Sequence, residues 1–141
     1  MLKLYHLTTY EELKMIAKHG AGRSEPPKYC ADGELGRGFY LHSMPPYDGK
    51  NVILVVSVDV REYAYIPYPK SPNTETREGK LFRDLAFDNR GMMLGDGVSA
   101  MESRVVGTRI RNEFLRHGYR GIMTDSGIFV VFDASTAKLV R

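Results

Sequence analysis

Gly121-Ile122-Met123-Thr124-Asp125-Ser126-Gly127-Ile128-Phe129-Val130-Val131-Phe132 decides the fold class. Asp125-Ser126-Gly127 is a tight turn between two apolar runs, so the segment predicts consecutive strands over 121–124 and 128–132. Just before it, 98–117 has helical periodicity. Val98, Met101 and Val105 form one row there, and Val106, Ile110 and Phe114 form another, with Gly118 as the C-cap.

Further upstream, Val52-Ile53-Leu54-Val55-Val56 is an unbroken apolar run. It predicts a strand over 51–59 buried on both faces. A shorter edge strand over 63–66 ends at Pro67 and Pro69. The chain begins with a strand over 3–6. Thr9 and Glu12 then form a capping box for a helix carrying Leu13, Ile16 and Ala17, stopped by Gly20. Residues 21–35 read as a loop and 38–43 as a strand. Segment 70–97 is long and polar, with an apolar island at 81–87 worth one or two helical turns. Such a segment is either a flap over a site or disordered. Residues 135–140 close the sheet or pack along it. Strands and helices do not alternate strictly, so the expectation is a single α+β domain over 1–141 with mostly antiparallel strands.

The 141 residues carry a formal charge of +3, which suits a phosphate-bearing ligand but is too weak to argue for nucleic-acid binding. One cysteine, Cys30, excludes an internal disulfide and fits a reducing compartment. No apolar run approaches a membrane span, and the apolar start breaks at His6 before it can form a signal peptide. A soluble, cytoplasmic protein is expected. The histidines His6, His19, His42 and His117 have no metal-ligand spacing, so no metal is expected. Neither a phosphate loop nor a Gly-x-Ser-x-Gly elbow is present.

Two short segments carry the candidate chemistry. In Gly38-Phe39-Tyr40-Leu41-His42-Ser43, alternation turns Phe39 and Leu41 into the core and sets Gly38, Tyr40 and His42 on the other face. Tyr40 there offers a flat ring, and Gly38 permits close approach of a ligand. In Tyr5-His6-Leu7-Thr8, His6 sits just before the helix N-terminus. Each has an ordinary reading as well: Tyr40 on a half-exposed edge strand, His6 as a core histidine, Thr8 as a cap.

Taken in order, Tyr5-His6-x-Thr8, Gly36-x-Gly38-Phe39-Tyr40-Leu41 and Gly118-Tyr119-x-Gly121-Ile122 leading into Phe129–Asp133 resemble the ADP-ribosyltransferase superfamily. The resemblance is to its His-Tyr-acid branch of diphtheria-toxin-like and poly-ADP-ribose-type enzymes, with small bacterial and phage members, and covers roughly half the chain. It implies a split pair of small antiparallel sheets with NAD as substrate in the cleft. His6 would bond the adenosine-side ribose, the backbone at Leu7 and Thr8 would hold the nicotinamide amide, and Tyr40 would stack on the nicotinamide. Arg23 or Arg37 would meet the pyrophosphate. Leu7 stands where relatives often have Gly. Ile128 stands where they carry the acid that holds the nicotinamide ribose. Asp125 is the nearest carboxylate, either as that acid or as a plain polar turn residue. Two functions follow: transfer of ADP-ribose from NAD to a macromolecular acceptor, or a non-catalytic domain that binds a nucleotide or a protein partner.

Overall fold

The turn at Asp125-Ser126-Gly127 forms as its sequence demands. Gly127 takes the positive φ of 83° that a side chain resists, and its N–H bonds the Thr124 carbonyl at 3.3 Å. A computed structural model describes residues 1–8, 14, 31–45, 52–87 and 99–140. Among these, strands β1 (Leu2–Thr8), β2 (Ala31–Gly33), β3 (Gly36–His42), β4 (Val52–Val58), β5 (Tyr63–Tyr65), β6 (Gly121–Met123), β7 (Ile128–Val131) and β8 (Ala137–Val140) accompany helices α1 (Arg77–Ala86) and α2 (Ala100–Arg116), which lie between β5 and β6 in the chain. Seven strands follow the order β5-β6-β7-β3-β1-β4-β8, and β2 pairs with β3. Every pairing is antiparallel except β5 with β6. The chain is therefore α+β with one mixed sheet. The expected edge strand at 63–66 and the closing strand at 135–140 occupy the two ends of that order.

Alternation along the strands sorts the core into two layers. Leu4, Phe39, Leu41, Leu54, Val56, Val58, Phe129 and Val131 fill one. On the other face, Val130, Ile122, Ala64 and Phe132 meet Phe82 and Ala86 of α1 and Ile110 and Phe114 of α2. The helices lie over the β3–β6 half of the sheet.

That placement corrects three expectations. Strand β4 is not buried on both faces: Leu54, Val56 and Val58 are inside, but Ile53 is exposed, and the described helices pack over the β3–β6 half of the sheet instead. On α2 the row of Val106, Ile110 and Phe114 faces the sheet, while Met101 and Val105 face outward. At about 100° per residue, Met101 is about 180° around the helix from Ile110. Segment 70–97 holds a helix of nearly three turns over 77–86, longer than the one or two turns expected at 81–87. Thr76 caps α1 by accepting from the Gly79 N–H at 3.1 Å, and Phe82 is fully buried. The 21–35 loop also contains the short β2. The helix expected over 9–20, apart from Lys14, and residues 88–98, Arg23 and Cys30 lie outside the described residues. No helix among the described residues is long and apolar enough to cross a membrane.

Tyr63 reaches from β5 into the first layer, with its hydroxyl 2.7 Å from Thr136 Oγ1. Burial pushes its phenol well above the ordinary 10.0. The Thr136 hydrogen bond opposes this, and the nearby Asp133 and Asp59 add to the rise. The folded chain thus keeps a proton that the unfolded chain gives up. This stability is fully present below about pH 10 and is lost as the pH rises above it, by up to about 1.4 kcal/mol per pH unit. Urea unfolding at about pH 9 and about pH 11 reads the loss. Tyr63→Phe should flatten it, and an equally steep loss in that variant would assign the alkaline sensitivity elsewhere.

Candidate functional site: a seam in the sheet and the cavity beside it

Strand β1 aligns seven residues with β4, from Leu2 opposite Val58 to Thr8 opposite Val52. It aligns with β3 only where Tyr5 meets His42. Strand β3 turns to other partners, setting Phe39–His42 against β7 and Gly36–Gly38 against β2. The sheet is thus two halves, β5-β6-β7-β3 and β1-β4-β8, joined along a thin seam. A side chain bridges that seam: His6 Nδ1 lies 3.0 Å from the Tyr40 carbonyl oxygen. A carbonyl only accepts, so Nδ1 is the donor in this bond. The His6 ring packs on Phe39, with centroids 4.8 Å apart.

Phe39 belongs to the first core layer, whereas Tyr40 packs against the second. His6 therefore reaches Tyr40 through its backbone, and the two rings are on opposite faces of β3. The Tyr40 ring is fixed by its hydroxyl, which accepts from the Leu35 N–H at 3.0 Å and donates to the Gly36 carbonyl. Gly33 makes room for it: a Cβ there would come within 2.5 Å of the ring. A positive φ of 104° at Gly36 closes the β2–β3 turn around this hydroxyl.

Beside Tyr40 opens a cavity of about 620 Å³. Its floor is Tyr40 and His42 of β3 with Ile128 of β7, and His42 and Ile128 face each other in register. One wall is the hairpin segment Thr124-Asp125-Ser126, a second is Gly33-Glu34-Leu35, and a third is the Pro67–Ser71 turn. The lining is mainly apolar and includes the charged residues Glu34, Asp125 and Lys70.

The hairpin wall is stitched locally. Thr124 Oγ1 lies 2.9 Å from Ser126 Oγ and accepts from the Ile128 N–H at 3.2 Å, and the Ser43 N–H bonds the Gly127 carbonyl at 2.8 Å. Asp125 is exposed at its tip. A carboxylate on a locally stitched turn beside the cavity can stabilise positive charge that develops on a bound molecule.

The structure thus brings together Tyr40, His42 and Asp125, and also Ile128, whose apolar side chain lines the cavity where an acid was expected. His6 is not among the lining residues and buttresses Tyr40 from across the seam. Leu7 and Thr8 lie further along β1, paired with Ile53 and Val52. The space beside Gly38 is taken by protein, since a Cβ there would come within 2.5 Å of Val130 Cγ2. Arg37, half-buried on β3, is not among the lining residues. The Pro67–Ser71 turn was missed as part of the site. Its signal in the sequence is Pro67-Tyr68-Pro69, which places an aromatic ring between two rigid residues at a strand end. No protein-family model matches the chain, and no curated protein or solved structure matches it.

Proposed function

We propose that the chain is an NAD-dependent ADP-ribosyltransferase-like enzyme of the His-Tyr-acid type, with the nicotinamide end of NAD in the cavity on Tyr40. The observation that carries this reading is the seam. Strands β1 and β3 share the single registered pair Tyr5–His42, with His6 tied across to the Tyr40 strand, and a sheet joined so thinly there is compatible with the split pair of sheets that the three sequence segments imply. The cavity beside it, large enough for a nicotinamide and its ribose, supplies the place for substrate.

Tyr40 offers the ring face, and its tethered hydroxyl fixes where the ring sits, so the nicotinamide is oriented before it reacts. The bond from nicotinamide nitrogen to ribose carbon then breaks with both electrons passing to the ring nitrogen. Neutral nicotinamide leaves, and positive charge spreads over the anomeric carbon and the ribose oxygen. The Asp125 carboxylate stabilises that charge. A nucleophilic nitrogen or oxygen of a macromolecular acceptor attacks the same carbon and gives its proton to solvent.

A second reading is favoured by Ile128. An isoleucine on the cavity floor cannot hold a ribose hydroxyl, and a domain that binds a nucleotide without turning it over has no need of an acid there. Calorimetric titration with NAD, followed by assay of released nicotinamide with candidate acceptors, separates the two. Saturable binding with release supports the enzyme; saturable binding without release supports the binder. No binding removes both.

A further inference from the structure

We propose that the open face of β1-β4-β8 is a docking surface for single-stranded nucleic acid that leads into the cavity. As a binding surface it stands apart from the NAD reading; as the acceptor of the transfer, the strand rests on it. Residues opposite one another in antiparallel strands share a face. On this face His42 of β3 stands opposite Tyr5 of β1, Tyr5 opposite Val55 of β4, and Val55 opposite Val140 of β8. The row spans three strand spacings, about 14 Å, and His42 at its end also lines the cavity. A second row runs alongside, two residues along each strand and so about 7 Å away. It holds Lys3, Ser57 and Lys138, again in register. The described helices pack on this side of the sheet over its β3–β6 half. On the other half Ile53 and Val140 are each 37% exposed. Lys3, Lys138 and His42 are exposed too, and Tyr5 and Val55 are half-buried.

Charge decides which partner fits. Strands β1, β4 and β8 hold two lysines and no acid, and among the described residues neither lysine is in an ion pair. The net charge of +3 is modest as a sum, but here both lysines share one row of one face. Beside them lies a strip of ring and aliphatic surface. A partner that satisfies both rows carries a negative charge and a flat apolar face at each repeat. Unpaired nucleotides have that composition: phosphates meet the lysine row, and bases stack on the row of Tyr5 and His42. A duplex presents its phosphates but hides its base faces, so the strip finds no partner in it. A strand laid from β8 toward β3 brings its leading nucleotide to the cavity. Its base nitrogen or sugar hydroxyl is then the nucleophile that attacks the anomeric carbon and gives its proton to solvent.

Fluorescence anisotropy with labelled oligo-dT and oligo-rU of about a dozen nucleotides tests the surface, with a duplex of equal length and co-sedimentation with phosphatidylserine vesicles as the contrasts. At least one single strand should bind more tightly than the duplex, with an affinity that falls as salt rises. The double variant Lys3→Gln, Lys138→Gln should lower the slope of log affinity against log salt by about 1.4. Tyr5→Ala should weaken binding about tenfold, and Tyr5→Phe, which keeps the ring, should stay within about twofold of the unaltered chain. The lysine variant and Tyr5→Phe should unfold at the temperature of the unaltered chain, so the test holds even if Tyr5→Ala does not fold. Binding of neither strand, equal binding of the duplex, binding to vesicles alone, or strand binding that ignores the lysine change would each overturn the surface. Transfer assays with NAD and the strand that binds then separate the readings. ADP-ribose recovered on the strand supports it as acceptor. Binding of both NAD and the strand without transfer leaves the surface and removes the acceptor. Binding of the strand without any binding of NAD leaves the surface and removes the NAD reading.

Discussion

Asp125→Asn should release nicotinamide from NAD roughly a hundred- to a thousandfold more slowly than the unaltered chain, with an unchanged unfolding temperature. The size follows from what the carboxylate is asked to do. As the nicotinamide departs, a full positive charge builds on the ribose, and one fixed group of opposite sign is worth about that factor when lost from a preorganised site. The fold should not register the change, because Asp125 is exposed and the turn is held by Thr124, Ser126 and Gly127 through their own bonds. The asparagine keeps the shape and removes only the charge. Retention of full turnover in Asp125→Asn, with binding intact, would discard Asp125 as the acid. The remaining cavity carboxylate, Glu34 on the β2–β3 turn, would then become the group to test.

Phe114→Ala should cost about 3–5 kcal/mol of folding stability, which for a chain of this size lowers the melting temperature by roughly 10–20 °C. Phe114 is fully buried at the centre of the second layer. Its ring meets Tyr119 at 5.5 Å, Phe132 at 6.3 Å and Phe82 at 6.5 Å between centroids. It thus joins α2 to α1 and both to the strand that leaves the cavity hairpin. Deleting it leaves a void that these neighbours, pinned on three elements, cannot close. Phe114→Leu should recover much of the loss by refilling the volume. Denaturant unfolding measures both; a loss below about 1 kcal/mol for the alanine variant would mean that the layer repacks and is not the rigid support assigned to it.

The fold was legible wherever a local pattern had one physical solution. The hairpin of β6 and β7, the edge position of β5 and the helix of α2 all follow from periodicity and turn chemistry. The readings that failed depended on neighbours. Val52–Val56 is apolar at every position, but burial of both faces requires something on each side, and the described helices cover a different part of the sheet. Helical turns are expected at 81–87, but the charge-rich start at 77–80 shows no apolar row, so the full length of the helix emerges only from its Thr76 cap and from Phe82 packing against Phe114.

The site shows the same division. Alternation placed Tyr40 and His42 on one face correctly, because that rule is local. Sequence order suggested that His6 shares their cleft, whereas the structure sets its ring on Phe39 and gives it a bond across the seam. Tyr68 reaches the cavity through strand order alone: β5 runs beside β6, so the turn after β5 arrives next to the hairpin after β6. Nothing in the spacing of Tyr40 and Tyr68 along the chain reports that meeting.

A crystal structure of the chain with NAD bound tests the central claim most directly. The account predicts the nicotinamide ring within the cavity, stacked on Tyr40, with the attached ribose within hydrogen-bond reach of the Asp125 carboxylate. NAD bound away from Tyr40, or seated on Tyr40 with its ribose turned away from every carboxylate of the cavity, would contradict it.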